Sequence, residues 1–262
     1  MASVVQVLVA SMNQKDHSLL EKMNIQTDAI IGNQTNINKR EDISYNGHSI
    51  TYLNFNERGV GLNRNNSLMR ATADICLFAD DDMVYCDDYE KIVLNAFNSY
   101  PNADVIIFNI KEPVPKRYVI TKPFKVNWKN FMRFGTVRIA AKREALFNNG
   151  ILYNLNFGGG TKYQDGDDTL FLADCVKKGL NIIAVPITIA ELTEERQSTW
   201  FTSYDEKFFN DKGVLFWAIS HRFYKLICFQ DAVRHSKIYK RKTFEVYRLM
   251  NDGVLKMRSK IK

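Results

Sequence analysis

A chain of 262 residues, 45% of them hydrophobic, can bury a core without disulfide, structural metal or obligate partner, which excludes the disulfide-scaffold and disordered classes. Cys76, Cys86, Cys175 and Cys228 lack CxxC spacing and read as reduced, intracellular thiols. No secretory leader is expected at Met1-Ala2-Ser3-Val4-Val5, and no window approaches the roughly 18 apolar residues of a spanning helix. The net charge of +7 is unevenly placed: residues 212–262 hold 13 Lys or Arg against 3 Asp or Glu, a local +10, and the remainder stands at −3.

Val4 to Ala10 is a nearly continuous apolar run, as in a parallel strand covered on both faces, and Ser11 opens a polar loop at its end. His17 to Asn24 reads as a short helix, Asp28 to Gly32 as a second strand and Ile50 to Phe55 as a third. Asn33 to Gly47 is polar without periodicity and reads as loop. Gly59 to Met69 enters a helix, with Leu62, Leu68 and Met69 on its inner face, and leads to a strand over Asp74 to Ala79. A helix over Asp87 to Tyr100 and a strand over Asp104 to Ile110 follow. Pro113, Pro115 and Pro123 exclude long regular elements between Lys111 and Asn130. Thr136 to Ala141 reads as a strand, Lys142 to Asn148 as a short helix, Thr169 to Lys178 as a helix stopped by Gly179, and Ile182 to Ile189 as a last strand. Alternating strands and helices predict an α/β protein with a Rossmann-like open sheet, whose ligands bind beyond the carboxyl ends of the strands. The loops after Ala10, at Asn33 and at Asp80 should therefore meet in one cleft.

The densest chemical signal is Asp80-Asp81-Asp82, three carboxylates directly after five apolar residues. Such a cluster is unfavourable unless a cation sits among the charges. In extended backbone alternate side chains face the same way, so Asp80 and Asp82 can converge on Mg²⁺ or Mn²⁺ while Asp81 points elsewhere. The other reading is a solvated acidic turn with Asp82 or Asp87 capping the next helix. Asp167 and Asp168, behind Gly158-Gly159-Gly160 and Gly166, form a second pair at a helix N-terminus. Either can hold the helix end, and a base reaching into the cleft also suits Asp168. Arg64 can pair with a phosphate, with the carboxylates, or with solvent. No P-loop, zinc-spaced histidine pair or GxSxG elbow occurs.

The order Gly61-x-x-Arg64-Asn65, Leu77-Phe78-Ala79-Asp80-Asp81-Asp82 and Gly166-Asp167-Asp168-Thr169-Leu170-Phe171 resembles family 2 glycosyltransferases of the GT-A fold, of the bacterial cell-surface polysaccharide type. The resemblance covers about the first 200 residues and implies an inverting hexosyl transfer from a nucleotide-diphosphate sugar, a UDP-sugar foremost, to a hydroxyl of a glycan or lipid-linked saccharide. By it, Asp80 and Asp82 match the DxD pair that holds Mn²⁺ or Mg²⁺ and the diphosphate, Arg64 a donor-contacting Arg, and Asp168 the catalytic base. Ala10, Ser11, Asn33, Gln34 and Asp81 are then the remaining donor-binding positions, and Asp167 lies toward the acceptor. Two features depart from the family: an amide pair, Asn33-Gln34, stands where an Asp often contacts the nucleobase, and no His lies between His48 and His221 to complete a metal site. Glu191, Glu194, Glu195, Gln197 or water would have to serve instead. A sugar-nucleotide nucleotidyltransferase and a non-catalytic nucleotide-sugar-binding subunit of a glycan-assembly complex are the rival readings.

The expected organisation is a catalytic domain over residues 1–211 and a basic helical extension over 212–262. In the extension, Phe216, Trp217, Phe223, Tyr224 and Phe229 stand among Lys and Arg, a mixture suited to an anionic membrane surface or to packing on the catalytic domain. No specific nucleic-acid partner is expected, and the protein reads as cytoplasmic, peripheral on the inner face of the membrane.

Overall fold

The computed structural model describes residues 4–113, 117–193 and 203–259. Its strands are β1 (Val5–Met12), β2 (Asp28–Gln34), β3 (Lys39–Tyr45), β4 (His48–Phe55), β5 (Ile75–Asp80), β6 (Met83–Tyr85), β7 (Val105–Lys111), β8 (Phe124–Lys125), β9 (Ile139–Lys142) and β10 (Ile182–Leu192). They form one mixed sheet in the order β3-β4-β2-β1-β5-β9-β7-β10-β6, with β8 paired to β10. The β4-β2-β1-β5 half is parallel, and β9 enters antiparallel between β5 and β7.

Both faces are covered because strand side chains alternate. Val7 and Val9 of β1 join Ala29, Ile31, Leu77 and Phe108 in one core, against helices α1 (Leu19–Lys22) and α3 (Tyr89–Ser99). Leu8 joins Ile30, Phe78 and Ile107 in the other, with α4 (Arg143–Asn148), α5 (Asp167–Lys177) and the C-terminal helices α6 (Glu206–Ile219), α7 (Tyr224–Arg234), α8 (Ser236–Tyr239) and α9 (Thr243–Ser259).

Four expectations need correction. The stretch Asn33 to Gly47 is no loop: β2 runs on through Asn33 and Gln34, and β3 follows as an antiparallel edge strand. Its hairpin turns at Asn46 and Gly47, with φ of 48° and 84°, the left-handed pair that a tight β-hairpin requires. The helix α2 (Val60–Leu68) buries Leu68 as expected but turns Met69 outward, 62% exposed, and buries the polar Asn63, Arg64, Asn65 and Ser67 as well. Thr136–Arg138 is a 3₁₀ turn rather than strand, and its buried Arg138 donates to the carbonyls of Phe108 on β7 (2.6 Å) and Tyr118 (2.8 Å). Finally, the domain border expected after Asp211 falls inside α6, whose Phe209, Val214, Leu215 and Phe216 share a core with Leu170 and Phe171 of α5.

Helices α6 and α9 cross in backbone contact. A Cβ built on Gly213 would lie 1.9 Å from the Met250 carbonyl oxygen, and one on Gly253 2.2 Å from that of Asn210. Glycine is required at both positions by proximity alone.

Candidate active site

Strands β1, β2 and β5 end at the same edge, where a cleft of about 710 Å³ opens. At its centre lies Arg64, carried there by α2. This helix is anchored by amide side chains: Asn63 Nδ2 donates to the Gly32 carbonyl (2.8 Å), while Asn65 bonds both the N–H and the carbonyl of Tyr153. The Arg64 side chain is only 7% exposed and lies over the Tyr153 ring, 5.4 Å from its centroid. Its Nη2 donates to Asp80 Oδ1 (2.6 Å) and its Nη1 to Asp167 Oδ2. Burial opposes charge on the guanidinium, but the two carboxylates outweigh it and hold its pKa above the ordinary arginine value. One cation thus ties the acidic end of β5, 16 residues from Arg64, to the first turn of α5, 103 residues from it.

The neighbouring acids are tuned differently. Asp81 turns toward β1, its Oδ2 accepting from Gln14 Nε2 (2.9 Å) and the Met12 N–H (3.4 Å). Asp82 is raised to about 6, chiefly by burial and then by the charges of Asp80 and Asp81. A divalent cation would relieve that repulsion. Among the described residues no cluster of three His, Cys, Asp or Glu could cage a metal unaided. Asp80 and Asp82 fit the alternative, two carboxylates that share a hard cation with a phosphate-bearing ligand. Glu191 pairs with Lys111 (3.2 Å), and Glu194, Glu195 and Gln197 lie outside the described residues.

Asp168 is raised to about 7, first by burial, then by the charges of Asp167 and Asp165. Its Oδ1 accepts from the Thr169 N–H (2.7 Å), and its Oδ2 faces Gly135, where an added Cβ would lie 3.2 Å away. Gly166, in the left-handed conformation at φ 102°, occupies the N-cap position and has no side chain, so of the two acids it is Asp168 that accepts from a first-turn N–H of α5. Gly158, at φ 93°, passes so close that a Cβ there would meet Val60 at 2.6 Å and the Asp167 carboxyl at 2.7 Å.

No protein-family model matches the chain, and no curated protein matches it in sequence. Solved structures do. The chain resembles Staphylococcus aureus TarS residues 1–349 in complex with UDP-GlcNAc, and the same protein with UDP, at a TM-score of 0.61 and 15% identity over 89% of this chain and 72% of that one. Against the longer S. aureus TarS structure the TM-score is 0.61 at 13% identity, and the match spans 43% of that chain. The chain has a GT-A-like glycosyltransferase fold.

Within that fold the expected residues separate into two groups. Ser11, Gln34, Arg64, Asp80, Asp81, Asp82, Asp167 and Asp168 all line the cleft. Ala10 and Asn33 do not: Ala10 is buried in β1, and the buried Asn33 spends its amide on Gln14 and Asn54. Gln34 reaches the cleft, yet its Oε1 is taken by the Gly59 N–H (2.9 Å), and the Asp167 carboxylate is taken by Arg64. Sequence reasoning missed Arg58 and Arg117, two cations in the wall, and the α6 residues Lys207, Phe208, Lys212 and Leu215. Only the basic residue before Gly59-x-Gly61 had a local signal; the others arrive through long-range packing.

Proposed function

We propose that this protein is an inverting, family 2-type glycosyltransferase moving a sugar from a UDP-sugar to a hydroxyl of a glycan or lipid-linked saccharide. The observation carrying this reading is the Arg64 bridge, which brings the Asp80 to Asp82 cluster and a carboxyl raised to about 7 into one cleft. Asp80 and Asp82 would hold Mg²⁺ or Mn²⁺, which supplies charge neutralisation to the departing diphosphate. Asp168, with a pKa near ambient pH, takes the proton of the acceptor hydroxyl as that oxygen attacks the anomeric carbon, a role that typically contributes about 10²–10⁴ in rate. Arg64 keeps Asp80 and Asp167 in place, and Arg58 in the cleft wall offers positive charge to the donor phosphates, whereas Arg117 is already paired with Glu112. The likeness to TarS, solved with UDP-GlcNAc and with UDP, supports uracil as the base. The four cysteines are free thiols, which suits the reducing cytoplasm, and no helix of the described residues is long and apolar enough to cross a membrane.

Calorimetric titration with UDP, UDP-GlcNAc and other nucleoside diphosphates, in Mn²⁺ and in EDTA, tests the proposal. Metal-dependent binding of a uridine diphosphate is expected. Equal affinity in EDTA removes the metal, and failure of every nucleoside diphosphate to bind removes the transferase reading.

A further inference from the structure

Among the described residues, the C-terminal helices leave an apolar surface exposed along α7. Phe223, Leu226, Phe229 and Val233 are all exposed, Leu226 by 64%, and at 100° per residue they form a stripe along α7. Phe244 at the start of α9, 75% exposed, extends the stripe, its ring 6.4 Å from that of Phe229. Phe216 is not part of it, being buried in the core, and Trp217 stacks on His221 at 3.8 Å. A contiguous exposed apolar patch of this kind marks an interaction surface.

The rim identifies the partner. On the helical projection Lys225 flanks the stripe on one side and Arg234 on the other; Arg222, Lys237 and Lys242 are exposed nearby in sequence. A second copy meeting this face through a twofold axis would set the Lys and Arg of one rim against those of the other. A nucleic acid would neutralise the rim but leave five apolar side chains facing phosphate and water. An anionic lipid surface satisfies both parts at once, the apolar stripe entering the headgroup layer and the cations meeting lipid phosphates.

We infer that the α7–α9 face is a membrane-docking surface for anionic phospholipid. The inference stands on this surface alone, independently of the donor chemistry.

Co-sedimentation of the full chain with phosphatidylglycerol and with phosphatidylcholine vesicles tests it. Binding to the anionic vesicles only is expected, weakened by salt as the Debye length shortens. At about fivefold per basic residue, Lys225→Gln with Arg234→Gln should weaken binding roughly 25-fold. Leu226→Glu with Val233→Glu should abolish it while nucleoside-diphosphate binding, read by calorimetry, stays unchanged. Equal binding to both lipids, or wild-type binding by the Glu variant, overturns the inference. So does concentration-dependent self-association that the Glu variant loses in the absence of any vesicle binding, which would identify the face as a dimer contact.

Discussion

Replacing Asp168 by Asn should make the protein more stable and less active, with a pH dependence that identifies the cause. Burial, with the charges of Asp167 and Asp165 behind it, lifts this carboxyl from an ordinary 3.8 to about 7. Across that window the folded protein keeps a proton that the unfolded chain has released. Stability therefore falls as pH rises, by up to ~1.4 kcal/mol per pH unit, and the loss is complete above the folded value. A rise of that size on an isolated site would amount to ~4 kcal/mol, and because Asp167 and Asp165 share the titration, about half of that is expected. Asn removes the charge but keeps an Oδ1 for the Thr169 N–H, 2.7 Å away in the wild type. Asp168→Asn should thus gain ~2 kcal/mol near pH 8, or roughly 4–8 °C in Tm, with the gain shrinking toward zero near pH 4. Thermal denaturation of both proteins across this range measures it, and transfer assays should show kcat reduced about 10²–10⁴-fold. A variant that is less stable at every pH, or whose advantage does not change with pH, would mean that Asp168 is an ordinary ionised surface acid and not a base held ready.

Arg64→Met should destabilise the fold by about 3–5 kcal/mol in urea denaturation, since it strands two acids that the guanidinium now pairs. Adding Asp167→Asn should recover part of that loss, a coupling read from the double-mutant cycle. Gly158→Ala should lower kcat with the fold retained, because the new methyl displaces the Asp167 carboxyl and sits at φ 93°, a conformation costing about 1–2 kcal/mol for a residue with a side chain; circular dichroism alongside steady-state kinetics separates the two effects.

The parallel strands were legible because burial on both faces writes them as apolar runs, as in Val7-Leu8-Val9 and Leu77-Phe78-Ala79. Edge strand β3 was not, since Lys39, Arg40 and Asp42 are exposed and the half-buried face carries a charged Glu41 beside Ile43 and Tyr45, leaving only two apolar residues to alternate. The Asn46-Gly47 pair was its true signal. Apolar periodicity read α2 only in part: Leu68 is buried as expected, but Met69 is exposed, and Asn63 and Asn65 bonding backbone anchor the helix. That failure falls where the site is built, because the same helix delivers Arg64. The two acid clusters were readable from spacing alone, but the salt bridges that unite them depend on contacts 16 and 103 residues apart. The walls contributed by Arg117 and α6 carried no motif.

The paired glycines of α6 and α9 have an engineering consequence. Because Gly213 and Gly253 leave no room between the two backbones, α9 acts as a splint on the helix that supplies Phe208, Lys212 and Leu215 to the cleft. Ending the chain near Asp211 would cut away a wall of the cleft rather than trim a tail. Any transplant of the α6 wall from another scaffold should therefore move both helices together as a matched set, since a side chain larger than hydrogen at either glycine would force the two helices apart.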